Sequence, residues 1–260
     1  MMTNSLPALE IAGFRKSFRG LQVTNDVSFS VPQHCITAII GPNGAGKTTL
    51  FNLITKLIEP DAGEATLFGS SLAKVDAARM AKKGLIRTFQ TARVFPGLTA
   101  LENVLVGHHR HMRSSVIGSA LRLPGSRRAE AEVRARAFRL IEKLGLAAFA
   151  DVNAVELPMG SQKLLEIARA LMASPKLLLL DEPAAGLNDS ETAELADVLI
   201  AVREAGITVM LVEHNMPLVM SVSDQVIVLD SGSLIAAGNP QAVQADPLVI
   251  EAYLGTEVAA

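Results

Sequence analysis

The chain has 260 residues, 49% hydrophobic and 19% charged, with a formal net charge of −2. That balance suits a globular chain of one or two domains with an ample core, excludes a disordered one, and offers no overall electrostatic case for nucleic acid. The single cysteine, Cys35, excludes an internal disulfide and fits a reducing compartment, and neither a secretory leader nor an apolar run near the ~20 residues that span a bilayer is expected.

Up to about residue 35 the pattern predicts strands joined by turns. Val27, Phe29 and Val31 alternate with Ser28 and Ser30, the period of a half-buried strand. Ile36 to Ile40 reads as a buried strand, and Leu50, Phe51, Leu53, Ile54 and Leu57 recur at helical spacing. Between them stands Gly41-Pro42-Asn43-Gly44-Ala45-Gly46-Lys47-Thr48-Thr49, which fits G-x-x-x-x-G-K-[ST]. Clustered phosphates need many donors in a small space. The glycines let successive N–H groups curl inward as a nest, and a helix starting near Gly46 adds its positive end. Lys47 supplies a charge for the β/γ-phosphates and Thr48 a hydroxyl for Mg²⁺.

A turn at 59–63 precedes a strand over Glu64 to Phe68, and Gly84 to Thr88 forms a further extended segment. From about 97 to 165 the pattern is mostly helical, with a polar, Gly/Pro-punctuated insert near Ser114 to Ser126. A helix beginning at Gln162 carries Leu164, Ile167, Ala168 and Leu171 on one face. Strands Leu177–Asp181, Ile207–Val212 and Gln225–Leu229 then alternate with helices, as in a mostly parallel sheet, and Ser233 to Ala237 forms a final strand.

The strand at 177 ends in Asp181-Glu182-Pro183. Carboxylates at the end of a buried parallel strand stand where open α/β sheets bind ligands. Asp181 suits Mg²⁺, as the Walker-B acid does in P-loop enzymes. Glu182, one step beyond, is placed to accept a proton from an attacking water, which points to hydrolysis.

Together these motifs resemble the ATP-binding-cassette ATPases, over nearly the whole chain and in the family's order. Phe18 lies where the family puts an aromatic ring against adenine. Gln90, in Arg87-Thr88-Phe89-Gln90, matches the Q-loop glutamine. Leu157-Pro158-Met159-Gly160-Ser161 occupies the signature position, Gly186-Leu187-Asn188 the D-loop, and His214 the switch histidine. The resemblance implies an α/β P-loop NTPase with a mostly parallel sheet core, an N-terminal antiparallel β subdomain and an inserted helical subdomain. It implies one domain over 1–260, with the nucleotide-binding core at 1–95 and 166–260 and the helical subdomain at 96–165. ATP and Mg²⁺ are the implied ligands. Gln90 joins Thr48 and Asp181 at the metal, and Gly160 and Ser161 serve a partner's nucleotide. The implied partners are a second ATPase subunit, membrane permease subunits and, indirectly, a solute-binding protein, at the cytoplasmic face of the membrane.

Two departures stand out. The family's usual signature is Leu-Ser-Gly-Gly-Gln, so Pro158 replaces its serine and Ser161 its glutamine, while Asn188 replaces the usual D-loop aspartate. Pro158 has neither a hydroxyl nor an N–H to offer a phosphate.

Within the family the chain is most similar to the longer ATPase of branched-chain and hydrophobic amino-acid importers. Ile86-Arg87-Thr88-Phe89-Gln90, Leu101-Glu102-Asn103-Val104, Leu165-Glu166-Ile167-Ala168-Arg169 and Pro247 to Gly255 carry that similarity. Urea, amides and aromatic acids are alternative solutes, and a regulatory, non-hydrolysing module is the rival class. The segment from His108 to Lys143 holds nine basic residues against Glu130, Glu132 and Glu142. A solvated helical face is the expectation, against a surface for membrane subunits or anionic lipid. His108, His109 and His111 lack the spacing of a metal site.

Overall fold

A computed structural model describes residues 6–88, 93–108 and 124–257. It divides into two compact units. One holds the chain up to Arg87, Lys176–Ala185 and Thr192 onward; the other holds Thr88–Pro175 and Gly186–Glu191.

The first unit carries every named strand. It opens with β1 (Leu9–Phe18) and β2 (Leu21–Val31), joined by Arg19 and Gly20, both at positive φ (50° and 90°). Two such residues make the tight turn whose twist matches a hairpin. Then come β3 (Ile36–Ile40), α1 (Lys47–Ile54), β4 (Ala62–Leu67), β5 (Ser70–Ser71), the short α2 (Ala77–Met80) and β6 (Leu85–Arg87). The second unit follows, with α3 (Ala100–Val106), α4 (Pro124–Lys143) and α5 (Met159–Met172). The first unit resumes with β7 (Leu177–Asp181) and receives most of α6 (Asp189–Glu204). It ends with β8 (Thr208–Val212), α7 (Met216–Val222), β9 (Gln225–Asp230), β10 (Ser233–Gly238), α8 (Pro240–Gln244) and α9 (Pro247–Glu257).

These strands form two sheets. β2-β1-β4-β5 is antiparallel; β10-β9-β3-β8-β7-β6 is parallel except for β10, which pairs antiparallel with β9. This is the expected α/β P-loop architecture of parallel core, antiparallel subdomain and helical insert. β3, β7 and β8 are buried at every position, which is why each reads as an unbroken apolar run instead of an alternation. In β2, Val27 and Val31 point inward while Ser28 and Ser30 stay exposed, so the alternation there reports a half-buried strand. Leu50, Phe51, Leu53 and Ile54 of α1 pack with both sheets in one core.

In the second unit α3 starts with a capping box, Thr99 and Glu102 each bonding the other's backbone. Buried Asn103 accepts from Phe95 N–H at 2.7 Å and donates to the Thr99 carbonyl at 3.0 Å. On α4, Ala137 and Ile141 are buried while Arg128, Arg134 and Arg139 are exposed, and Arg128 pairs with Glu132 at 3.4 Å. Of the insert near 114–126, residues 114–123 lie outside the described residues.

The unit boundaries fall at 87/88 and 175/176, where the sequence suggested 95/96 and 165/166. The reason is α5, which packs on α3 and α4 and so stays whole within the helical unit. This helix also begins earlier than expected, at Met159, with Pro158 as its N-cap at φ −52° and ψ 153°. Gly160 and Ser161 therefore occupy its first turn.

Candidate functional site

In the parallel sheet Ile39 pairs with Val212, and Val212 with Asp181. The carboxyl ends of β3, β8 and β7 thus line up, and the segments that follow them carry most of the residues singled out by sequence.

After β3 the chain turns through Gly41 to Gly46 into α1. Gly41 has φ +149°, and a Cβ there would run into the Leu229 carbonyl. Gly46 caps α1 at φ +96°, where a Cβ would stand 2.6 Å from the Val23 carbonyl oxygen. Only glycine fits either place. Pro42, Asn43, Gly44 and Ala45 complete the loop, closed by Ala45 N–H on the Pro42 carbonyl at 3.2 Å. Lys47 is 6% exposed, and its Nζ donates to the carbonyls of Gly41 (2.7 Å) and Pro42 (2.9 Å). Burial pulls the Lys47 ammonium below its usual range, and the Glu182 carboxylate opposes that shift. Thr48 is exposed and Thr49 half-buried on the first turn of α1.

Asp181 ends β7 at 5% exposure. Its Oδ2 accepts from Arg87 Nη2 at 2.6 Å, an ion pair with both side chains at 10% exposure or less. Arg87 Nη1 also donates to Asn52 Oδ1 at 2.7 Å, and the guanidinium stands 5.5 Å from the Phe51 ring centroid. The last residue of β6 thereby ties Asp181 to α1. Arg87 had served only to mark resemblance; its partner lies 94 positions away, beyond any local pattern.

Glu182 stands at φ +49°, a region that costs a residue with a side chain about 1–3 kcal/mol. Its N–H donates to the Val212 carbonyl at 2.9 Å, and Ala185 N–H closes the turn on the Glu182 carbonyl at 3.1 Å. His214 follows β8, and its Nε2 meets Glu182 Oε1 at 3.2 Å. The structure thus brings the two expected catalytic side chains together. Asn215 then caps α7 by accepting from Leu218 N–H at 3.0 Å. Phe18 ends β1 with its ring 44% exposed and Lys16 Nζ 5.6 Å from the centroid. Burial raises the Tyr253 phenol of α9, which lines one cavity together with Ile40 at the end of β3. Gln90 lies outside the described residues.

Oxygen donors at this edge suit Mg²⁺. The described residues contain no group of three or more His, Cys, Asp or Glu able to hold a metal; Asp181 offers one carboxylate and Thr48 one hydroxyl. Mg²⁺ is held in just that way, by one or two protein oxygens with water and substrate phosphates completing the shell. Of the three histidines, His109 and His111 fall outside the described residues.

In the helical unit, Gly160 and Ser161 sit in the first turn of α5, and no side chain caps that turn. A Cβ on Gly160 would stand 2.5 Å from Glu191 Oε1. Asn188, read from sequence only as an altered D-loop residue, has a local role. Its Oδ1 accepts from Glu191 N–H and its own N–H donates to Glu191 Oε2, both at 3.0 Å. This is a reciprocal cap on α6, legible as Asn-x-x-Glu.

A family model described as ABC transporter matches residues 24–185, and one described as Branched-chain amino acid ATP-binding cassette transporter matches residues 233–259. The chain is 42% identical to the high-affinity branched-chain amino acid transport ATP-binding protein BraF of Pseudomonas aeruginosa, over 96% of this chain and 99% of that one. It is 34% identical to the probable branched-chain amino acid transport ATP-binding protein LivG of Archaeoglobus fulgidus, over 96% of each. Among solved structures, a nucleotide-free ATP-binding cassette from an ABC transporter superposes with a TM-score of 0.82 at 32% identity, covering 95% of this chain and 99% of that one. An ABC-transporter cassette in its ADP conformation gives 0.81 at 31%, covering 96% and 100%.

Proposed function

Since the chain belongs to the ATP-binding-cassette transporter family, we propose that it energises uptake of branched-chain amino acids through separate membrane permease subunits. The continuity of its match to BraF carries this reading: it runs nearly end to end and includes the tail at 233–259. The chain is an ATP-hydrolysing cassette. No helix among the described residues is long and apolar enough to cross a membrane, and the reading assigns the pathway for solute to other subunits. The place proposed for the chain is peripheral, at the cytoplasmic face.

The proposed cycle is alternating dimerisation with a second ATPase subunit. Phe18 stacks on adenine, and the loop Gly41–Thr49 cradles the phosphates with its N–H groups and Lys47. Thr48, Asp181 and Gln90 would hold Mg²⁺, which neutralises charge developing on the phosphates. Glu182 takes a proton from the attacking water, and His214, against its carboxylate, steadies the γ-phosphate or that water. Gly160 and Ser161, with the α5 N-terminus, serve the nucleotide of the other subunit. Closure requires that the dimer bind ATP better than the separated subunits do. A solute-binding protein delivers the amino acid to the permease.

The test is proteoliposome uptake by the chain assembled with branched-chain permease subunits and their binding protein. Radiolabelled leucine should accumulate only with ATP on the ATPase side. Urea or an aromatic acid accumulating in place of leucine would overturn the solute assignment.

A further inference from the structure

Glu213 follows the last residue of β8 and is 3% exposed. Its carboxylate is bonded on both sides. Oε1 accepts from Ala184 N–H at 2.6 Å, while Oε2 accepts from His214 N–H at 2.9 Å and Asn215 N–H at 3.2 Å. Its own N–H donates to the Ile39 carbonyl of β3 at 3.3 Å. One residue therefore touches three segments: the turn after β7 that carries Glu182, the segment that carries His214, and the strand that feeds the phosphate loop.

The geometry gives these contacts a purpose. Glu182 sits at φ +49°, a conformation that persists only where the surroundings over-determine it. Ala184, two residues on, is the point at which Glu213 holds that turn. His214 Nε2 reaches Glu182 Oε1 at 3.2 Å only while both backbones keep their spacing. Three N–H groups on one buried carboxylate are charge-assisted bonds, stronger and shorter than neutral ones.

We infer that Glu213 is a positioning residue for ATP hydrolysis, its carboxylate setting the Glu182–His214 geometry by clamping the backbone of both. It acts through those side chains and does not touch ATP. The inference rests on Glu182 as base with His214 beside it.

Glu213→Gln keeps the size but turns one acceptor into an NH₂ that faces N–H donors, so one arm of the clamp opens. Turnover should fall about tenfold to hundredfold while ATP affinity, by fluorescent-nucleotide titration, stays within about twofold. The double variant Glu213→Gln/His214→Ala should lose clearly less than the product of the two single losses, because both changes disturb the same Glu182–His214 contact. Glu213→Asp keeps the charge with a shorter reach. It provides the same split between turnover and affinity should the glutamine variant fail to fold. Unchanged turnover, an equal loss of ATP affinity, or losses that multiply in the double variant would each overturn the clamp. Glu182→Gln is run beside them. Parent-like turnover there defeats the base assignment alone, and the Glu213–His214 cycle still decides the clamp.

Discussion

The carboxyl edge of the parallel sheet and the start of α5 both carry backbone N–H groups that the proposed function assigns to phosphate, but they are held by different means. At the sheet edge, strand register sets the positions and buried charges lock them: Lys47 on the loop carbonyls, Arg87 on Asp181, Glu213 on three N–H groups. At the start of α5, Pro158 caps without a side-chain bond and Met159 is 58% exposed. That start is tied by Gln162, whose Nε2 donates to the Leu157 carbonyl at 2.9 Å, and further along by Arg169, which donates to the Arg93 carbonyl at 2.5 Å. The first region depends on side chains at fixed places; the second is a backbone surface. That explains why the departures from Leu-Ser-Gly-Gly-Gln fall where they do. Pro158, Met159 and Ser161 all change side chains there, whereas Gly160, pressed by Glu191, is retained.

The comparison breaks first at Arg87. Arg87→Ala leaves the Asp181 carboxylate buried without its cation, which costs about 3–5 kcal/mol. The thermal midpoint should drop on the order of 6–20 °C. A midpoint within about 2 °C of the parent would show that the pair does not brace the edge.

Pro158→Ser sharpens the other side. A hydroxyl bonded to a charged γ-phosphate is worth roughly 1.5–3 kcal/mol. On a backbone surface, hydrolysis at the partner subunit's nucleotide should nevertheless stay within about twofold of the parent in the assembled dimer, read with the partner's own base disabled and intact, and a quickening of about tenfold or more would show that the hydroxyl is missed. An unchanged rate would mean that the backbone and the helix dipole already suffice.

On stability, Asn188→Ala has the smaller expected effect. Removing one cap costs about 1 kcal/mol, or roughly 2–4 °C in thermal midpoint for a chain of this size. ATP affinity should stay at the parent value. A loss of affinity without a change in midpoint would make Asn188 a nucleotide contact instead of a cap.

Much of this was legible because it is local. The loop Gly41–Thr49 announces itself through its spacing, and β3, β7 and β8 through unbroken apolar runs. Asp181 and Glu182 were visible as acids at a strand end. Arg87 and Glu213 were not, because the groups they hold lie 94 and 29 positions away and meet them only through sheet register. The start of α5 lies three residues earlier than expected, since proline, glycine and serine within four residues read as loop. In fact proline fits a helix N-cap, and the buried face behind it drives the helix forward. Asn188 shows the reverse case: its cap is written in Asn-x-x-Glu, but the family position drew attention to its missing charge.

The division of labour at the sheet edge is tested most directly on one preparation of the full chain, by measuring ATP affinity and ATP turnover for Glu182→Gln beside the parent. Glutamine keeps the shape and the contact with His214 but accepts a proton poorly. Affinity should match the parent, turnover should fall on the order of 10²–10⁴-fold, and ATP-induced dimers should persist in size-exclusion chromatography. Turnover equal to the parent's would contradict the assignment of Glu182 as the base.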